Sequence, residues 1–92
     1  MNLYFISQNT VNGYNTYEYA VIVAQDADCA ANIHPGSIGM GRKILHLDEI
    51  NTNGLRVSTW VTDPDLVNIQ YLGKAADHFT CEAVICVSLN PW

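Results

Sequence analysis

The chain predicts an α+β fold: an antiparallel sheet of four to five strands with one short helix packed on one face. Three observations carry that expectation. Short apolar and β-branched runs recur between turn residues, as strands do. Two Asn-Gly pairs, Asn12-Gly13 and Asn53-Gly54, supply the positive φ that tight hairpin turns demand. One segment, from Asp26 to Gly36, carries helix start and stop signals.

The opening LYFISQ (3–8) is aromatic and β-branched enough for a strand, and YAVIVA (19–24) supplies a second. With Asn12-Gly13 as a two-residue turn, paired positions sum to 25, which sets Phe5 opposite Ala20 and Leu3 opposite Ile22. A longer loop over 9–16 would leave that pairing unchanged further in.

The stretch AQDADCAANIHPG (24–36) holds an acid, a thiol and an imidazole within nine positions. Helix formation accounts for each of them. Asp26 suits an N-cap, Asp28 the positive end of the helix dipole, and Cys29, Ala30 and Ile33 one apolar stripe. His34 falls in the last turn, and Pro35-Gly36 stop the helix. Cys29 reads as a small core residue rather than a nucleophile.

GSIGMGRK (36–43) has the glycine spacing of a phosphate-binding loop, at Gly36 and Gly41. Arg42 stands in the lysine place, however, Lys43 stands in the hydroxyl place, and no strand precedes the segment. It is expected to be a flexible loop. KILHLDEI and LRVSTWV flank Asn53-Gly54 as a second hairpin, with Leu55, Val57, Thr59 and Val61 on one face and Arg56, Ser58 and Trp60 on the other. TDPD (62–65) is a turn, LVNIQYLG (66–73) a strand, KAADHFTCE (74–82) a loop, and AVICVSL (83–89) a central strand.

The whole of 1–92 is expected to form a single domain with a modest core. Only 14% of residues are charged, against about 25% in an ordinary soluble domain. Some apolar surface is therefore expected to meet another protein or a second copy of this chain, as a homodimer. The net charge is −5, and the four cations Arg42, Lys43, Arg56 and Lys74 are too few and too scattered to neutralise phosphates, which argues against nucleic acid. The nine acids are equally scattered, unlike those of a nucleic-acid mimic. No apolar run approaches the ~18–20 residues of a membrane span. No secretory leader is evident, and the three cysteines fit free thiols in a reducing compartment, so a cytoplasmic protein is expected.

No pattern specifies an activity. Cys29, Cys81, Cys86, His34, His46 and His78 form no Cys-x-x-Cys or His-x-x-x-His pair, so neither a metal nor any other cofactor is expected. Asp77, His78 and Cys81 are the tightest nucleophile-like grouping, without any supporting elbow motif, and no catalytic residue is assigned. The aromatics favour binding, since Tyr and Trp bury much area and keep a polar tip. Tyr14, Tyr17, Tyr19 and Trp60, together with Arg42, are the candidate partner-binding residues, with Tyr17 and Tyr19 on one strand face where the strand begins as early as Tyr17.

LYFISQ, then NGYNTYEYAVIVAQDADCAANIHP, and later VNIQYLGKA with AVICVSLN, together resemble a group of small uncharacterised proteins of bacteria, their phages and integrated elements. The resemblance covers residues 3–35 and 67–90. Asn15 stands where that group usually carries Asp, and the acidic helix is depleted to DADCAAN. The resemblance implies a context rather than a mechanism: a small phage-type protein similar in kind to anti-CRISPR and other anti-defence proteins. On this reading the chain is a stoichiometric inhibitor that binds a bacterial host protein or complex through the Tyr14–Tyr19 hairpin and the Gly36–Arg42 loop. The alternatives are a small-molecule or nucleotide-binding oligomer and a thiol- or metal-dependent enzyme. A ligand pocket would have to form between subunits, because one small sheet has little room for a cleft of ~300 Å³.

Overall fold

The computed structural model describes residues 1–11, 13, 16–40, 44–54 and 59–90, with 38–40 described by backbone alone. Four strands, β1 (Asn2–Ser7), β2 (Tyr17–Ala24), β3 (Asn68–Lys74) and β4 (Ala83–Leu89), form one sheet in the order β3-β1-β2-β4, with every neighbouring pair antiparallel. Two short helices, α1 (Ala27–Ala31) and α2 (Leu47–Thr52), accompany it. The α+β expectation holds, with four strands and with two helices in place of one. No described helix is long and apolar enough to cross a membrane.

The β1–β2 register corrects the sequence reading by one residue: partners sum to 26, so Phe5 faces Val21 and Ile6 faces Ala20. The cause lies in the connecting loop. The buried Gln8 amide accepts from the Thr10 and Val11 N–H groups at 2.9 and 2.8 Å, and donates to the Val11 and Tyr17 carbonyls at 2.8 and 2.9 Å. Thr16 Oγ1 donates to the Gly13 carbonyl at 2.8 Å. A loop closed by side chains sets the register, and a one-residue shift moves every side chain to the other face. Tyr4, Ile6, Ala20, Ile22 and Ala24 therefore face the core, where they meet Ala30, Ile33, Leu47, Ile50, Trp60 and Val61.

α1 starts as expected, with the Asp26 carboxylate accepting from the Cys29 N–H at 2.8 Å. It ends sooner than expected, at Ala31, so His34 does not lie on it. Asn32 links the two helices. Its carbonyl accepts from Leu47 N at 2.7 Å, its Oδ1 accepts from Asp48 N at 3.0 Å, and its Nδ2 donates to Asp48 Oδ2 at 3.1 Å. One side chain at the end of α1 thus satisfies an orphan amide at the start of α2.

The expected strand in KILHLDEI survives only as a bridge between Ile33 and His46, after which the chain turns into α2. Leu47 and Ile50, three residues apart, bury one helix face, while Asp48 and Glu49 sit at the positive end of the dipole. Asn53-Gly54 does not make a hairpin. Asn53 caps α2, and Gly54 takes the positive φ, 66°, that commonly follows a helix end. The strand expected over 55–61 cannot be followed through Leu55–Ser58, which lie outside the described residues; Thr59–Val61 are irregular, and Trp60 and Val61 are both buried. Of the glycine-rich segment expected to be a flexible loop, Pro35–Met40 form a 3₁₀ helix, and residues 41–43 lie outside the described residues.

Candidate functional site

Two regions bring functional side chains together. The first is the end of the sheet where the start of β2 meets the 3₁₀ helix. His34 organises it. Nδ1 accepts from the Gly36 N–H at 2.9 Å, so the ring proton sits on Nε2, 3.3 Å from Thr59 Oγ1. Burial pushes its pKa down and keeps the ring neutral. Ser37 Oγ donates to the His34 carbonyl at 2.6 Å and accepts from Leu45 N at 2.9 Å, which pins the 3₁₀ helix against the chain leading to α2. The Tyr17 ring packs edge-on to His34 at 6.1 Å between centroids, and Tyr17 N donates to Thr59 O at 2.9 Å. Asn90 N donates to Thr16 O at 2.7 Å, adding the end of β4.

The five sequence-predicted residues fare differently. Trp60 is corrected: it is fully buried, because its volume fills the space between the helices and the sheet. Tyr17 is half-buried against the same core. Tyr19 is exposed but does not share a face with Tyr17. The β2–β4 register shifts between them, and Tyr19 stacks on Phe5 at 5.2 Å on the face away from the helices. Tyr14 and Arg42 lie outside the described residues.

The second region is an open cleft of about 620 Å³ walled by α1, the start of α2 and the 75–82 connection, with Asp28, Cys29, His46, Cys81 and Glu82 among its lining residues. It corrects the expectation that one small sheet has little room for a cleft of ~300 Å³. His46 is its distinctive group. Nδ1 donates to Glu49 Oε1 at 2.9 Å and Nε2 to Glu82 Oε1 at 2.8 Å. Both acceptors are carboxylates, so the geometry calls for a doubly protonated imidazolium. Partial burial opposes the charge, but the hydrogen bonds to Glu49 and Glu82 and their two charges outweigh it, and the pKa rises above the ordinary histidine value. The hydrogen bond to Asp26 and then burial raise the pKa of the Cys29 thiol in this wall, which lowers its thiolate fraction.

Sequence reasoning missed this clasp. His46 and Glu49 are spaced to meet at a helix start, but Glu82 lies 36 positions further on and only the tertiary fold brings it in. Among the described residues, no group of three or more His, Cys, Asp or Glu side chains is disposed to hold a metal ion. His78 stacks on Phe79 at 4.3 Å in the 75–82 connection. Cys29, Cys81 and Cys86 are all free thiols. No protein-family model matches the chain, and neither a curated protein nor a solved structure does.

Proposed function

We propose that the protein acts as a stoichiometric ligand of another protein, engaging it through the end of the sheet that carries the 9–16 loop and the 35–43 segment. The observation that supports this reading is the contact between the start of the 3₁₀ helix and Tyr17, the first residue of β2, which directly follows the 9–16 loop. A Cβ at Gly36 would lie 3.6 Å from Tyr17 Cε2, so chain far apart in sequence lies side by side there. Tyr14 and Arg42, the candidate residues that fall within 9–16 and 35–43 in sequence, are assigned to the partner. Tyr17 is reassigned to holding the platform together, and Tyr19 to the far face of the sheet. The target class comes from the resemblance alone: a bacterial host protein or complex, inhibited by occupancy of its surface, as by anti-CRISPR-type inhibitors of defence systems. The chain would act in the cytoplasm and without catalysis.

Tagged protein captured from bacterial host lysate and read by mass spectrometry tests this. A protein retained in equimolar amount by the wild type and lost from Tyr14→Ala/Arg42→Ala supports the reading. Identical retention by both proteins refutes the assignment of those two residues. A second reading, a small-molecule binder, is favoured by the cleft beside His46, whose volume falls within the ~300–1,000 Å³ of ligand pockets. A low-mass ligand that co-purifies, and that is displaced by substitutions at Asn32 or Thr80, would support it.

A further inference from the structure

β3 and β4 lie at opposite edges of the sheet, so residues 75–82, which join them, cross the ends of β1 and β2. Lys74 pairs with Asn2 and Ala83 with Val23, which fixes both ends of the crossing. Three strand spacings make a gap of about 14 Å. Eight extended residues reach roughly 26–29 Å, so the connection has nearly twice the length it needs. None of its residues is buried. Its backbone is tied where Ala75 N donates to Met1 O at 3.1 Å, and folds on itself where Phe79 N donates to Ala76 O at 3.0 Å. Among the described residues, Glu82 is the only side chain of this strap that hydrogen-bonds to the rest of the chain, through His46 Nε2 at 2.8 Å. That tether sits beside the last rung of the β2–β4 ladder, Val23 with Ala83, so its loss frees the strap from there back to Ala75.

We propose that 75–82 is a proton-operated strap on the cleft beside His46, fastened to α2 through Glu82 while the ring carries two protons and released when it carries one. Both ring nitrogens face carboxylates, Glu49 Oε1 at 2.9 Å and Glu82 Oε1 at 2.8 Å, and a neutral imidazole has a single N–H to give. Glu49 lies three residues on along the same helix, whereas holding Glu82 also means ordering the strap. The remaining proton therefore stays on Nδ1 for Glu49, and the Nε2 lone pair is left against the Glu82 carboxylate. The other titratable groups around the ring are Asp48 on α2, Asp28 and Cys29 on α1, Cys81 on the strap and the amino group of Met1. Asp48 is engaged by Asn32, and only Glu49 and Glu82 bond the ring. Burial opposes the charge on His46, but the two carboxylates outweigh it, so release falls above the ordinary histidine value of about 6.5. Release takes Thr80, Cys81 and Glu82 off the cleft wall and widens its mouth. The strap moves with or without a ligand, so this inference is independent of the partner-binding end.

The order of the strap against pH tests the proposal, read by NMR relaxation from the methyl groups of Ala76 and Thr80, which amide exchange does not limit. His78→Gln is present in every sample, so that the histidine on the strap itself is silent. From about pH 5.5 to about pH 9.5 the Ala76 methyl order parameter should fall by about 0.2 or more, in step with deprotonation of the His46 ring. Methyl groups of the core, such as those of Ile22, should not move with it. Glu82→Ala should hold the low value at every pH. Glu82→Gln should hold the high value at every pH, because an amide accepts from the imidazolium and, turned over, donates to the neutral ring. A Glu82 that served only as packing would not separate those two variants. Strap order that is constant across the range in the parent protein, a step that survives Glu82→Ala, or a Glu82→Gln strap that loosens at alkaline pH would overturn the proposal.

Discussion

Adding one methyl group at Gly36 should destabilise the protein through a single identifiable contact. A Cβ there would lie 2.8 Å from both His34 Cε1 and His34 Nδ1. Carbon atoms pack at about 3.5–4.0 Å, so the overlap is roughly 0.7 Å. The ring has little freedom to retreat. It is 5% exposed and is held at 2.9 Å by the Gly36 N–H and at 3.3 Å by Thr59. Overpacking of this kind costs about 1–3 kcal/mol. For a domain of this size that lowers Tm by about 4–24 °C, at about 4–8 °C per kcal/mol. Urea denaturation of Gly36→Ala, with His34→Ala as a second background, isolates the contact. Without the ring the methyl group meets no obstacle, so Gly36→Ala should cost under about 0.5 kcal/mol there. A neutral Gly36→Ala in the wild type, or the same full cost in the His34→Ala background, would refute the steric account.

Three further expectations follow from the hydrogen-bond geometry. Asn32→Ala removes the cap of α2 and should cost about 1–2 kcal/mol in denaturant, and Asn32→Asp, which keeps Oδ1 but turns its second oxygen on the Asp48 carboxylate, should regain stability only at a pH low enough to protonate one of the two acids. Gln8→Ala leaves the 9–16 loop without its closing bonds. It should lose about 2–3 kcal/mol and speed backbone hydrogen exchange at Thr10 and Val11. The two histidines should bend the stability-pH curve in opposite senses. His46, whose folded pKa is raised, contributes stability that is present below the ordinary histidine value of about 6.5 and is lost as pH rises through its folded pKa. His34, whose folded pKa is depressed, contributes stability that is lost as pH falls from that same value through its own. His46→Asn should therefore flatten the alkaline side of the profile and His34→Asn the acidic side, as read by Tm against pH.

How far the sequence could be read depended on whether the interactions were local. Asp26 announced the start of α1 because an N-cap reaches only three residues. β3 and β4 were legible as strands from their composition, but β4 lies at a sheet edge rather than at the centre that its nearly continuous apolar run suggested. Asn53-Gly54 misled because a glycine at positive φ serves a helix end as well as a hairpin, and the choice between them rests on Leu47 and Ile50 facing the core. The β1–β2 register was missed because Gln8, a residue without turn propensity, closes the loop with its side chain. Trp60 was misplaced by strand alternation, which does not apply to the irregular stretch it occupies. At the site, the approach of Gly36 to Tyr17 and the reach of Glu82 to His46 are both tertiary, and no spacing rule encodes them.

The reading of the loop end as a protein-binding platform is tested most directly by hydrogen–deuterium exchange on the purified protein with and without its captured partner. The account predicts protection in 9–16 and 35–43 together, with the cleft around His46 unchanged. Protection confined to that cleft, with both segments exchanging as in the free protein, would contradict it.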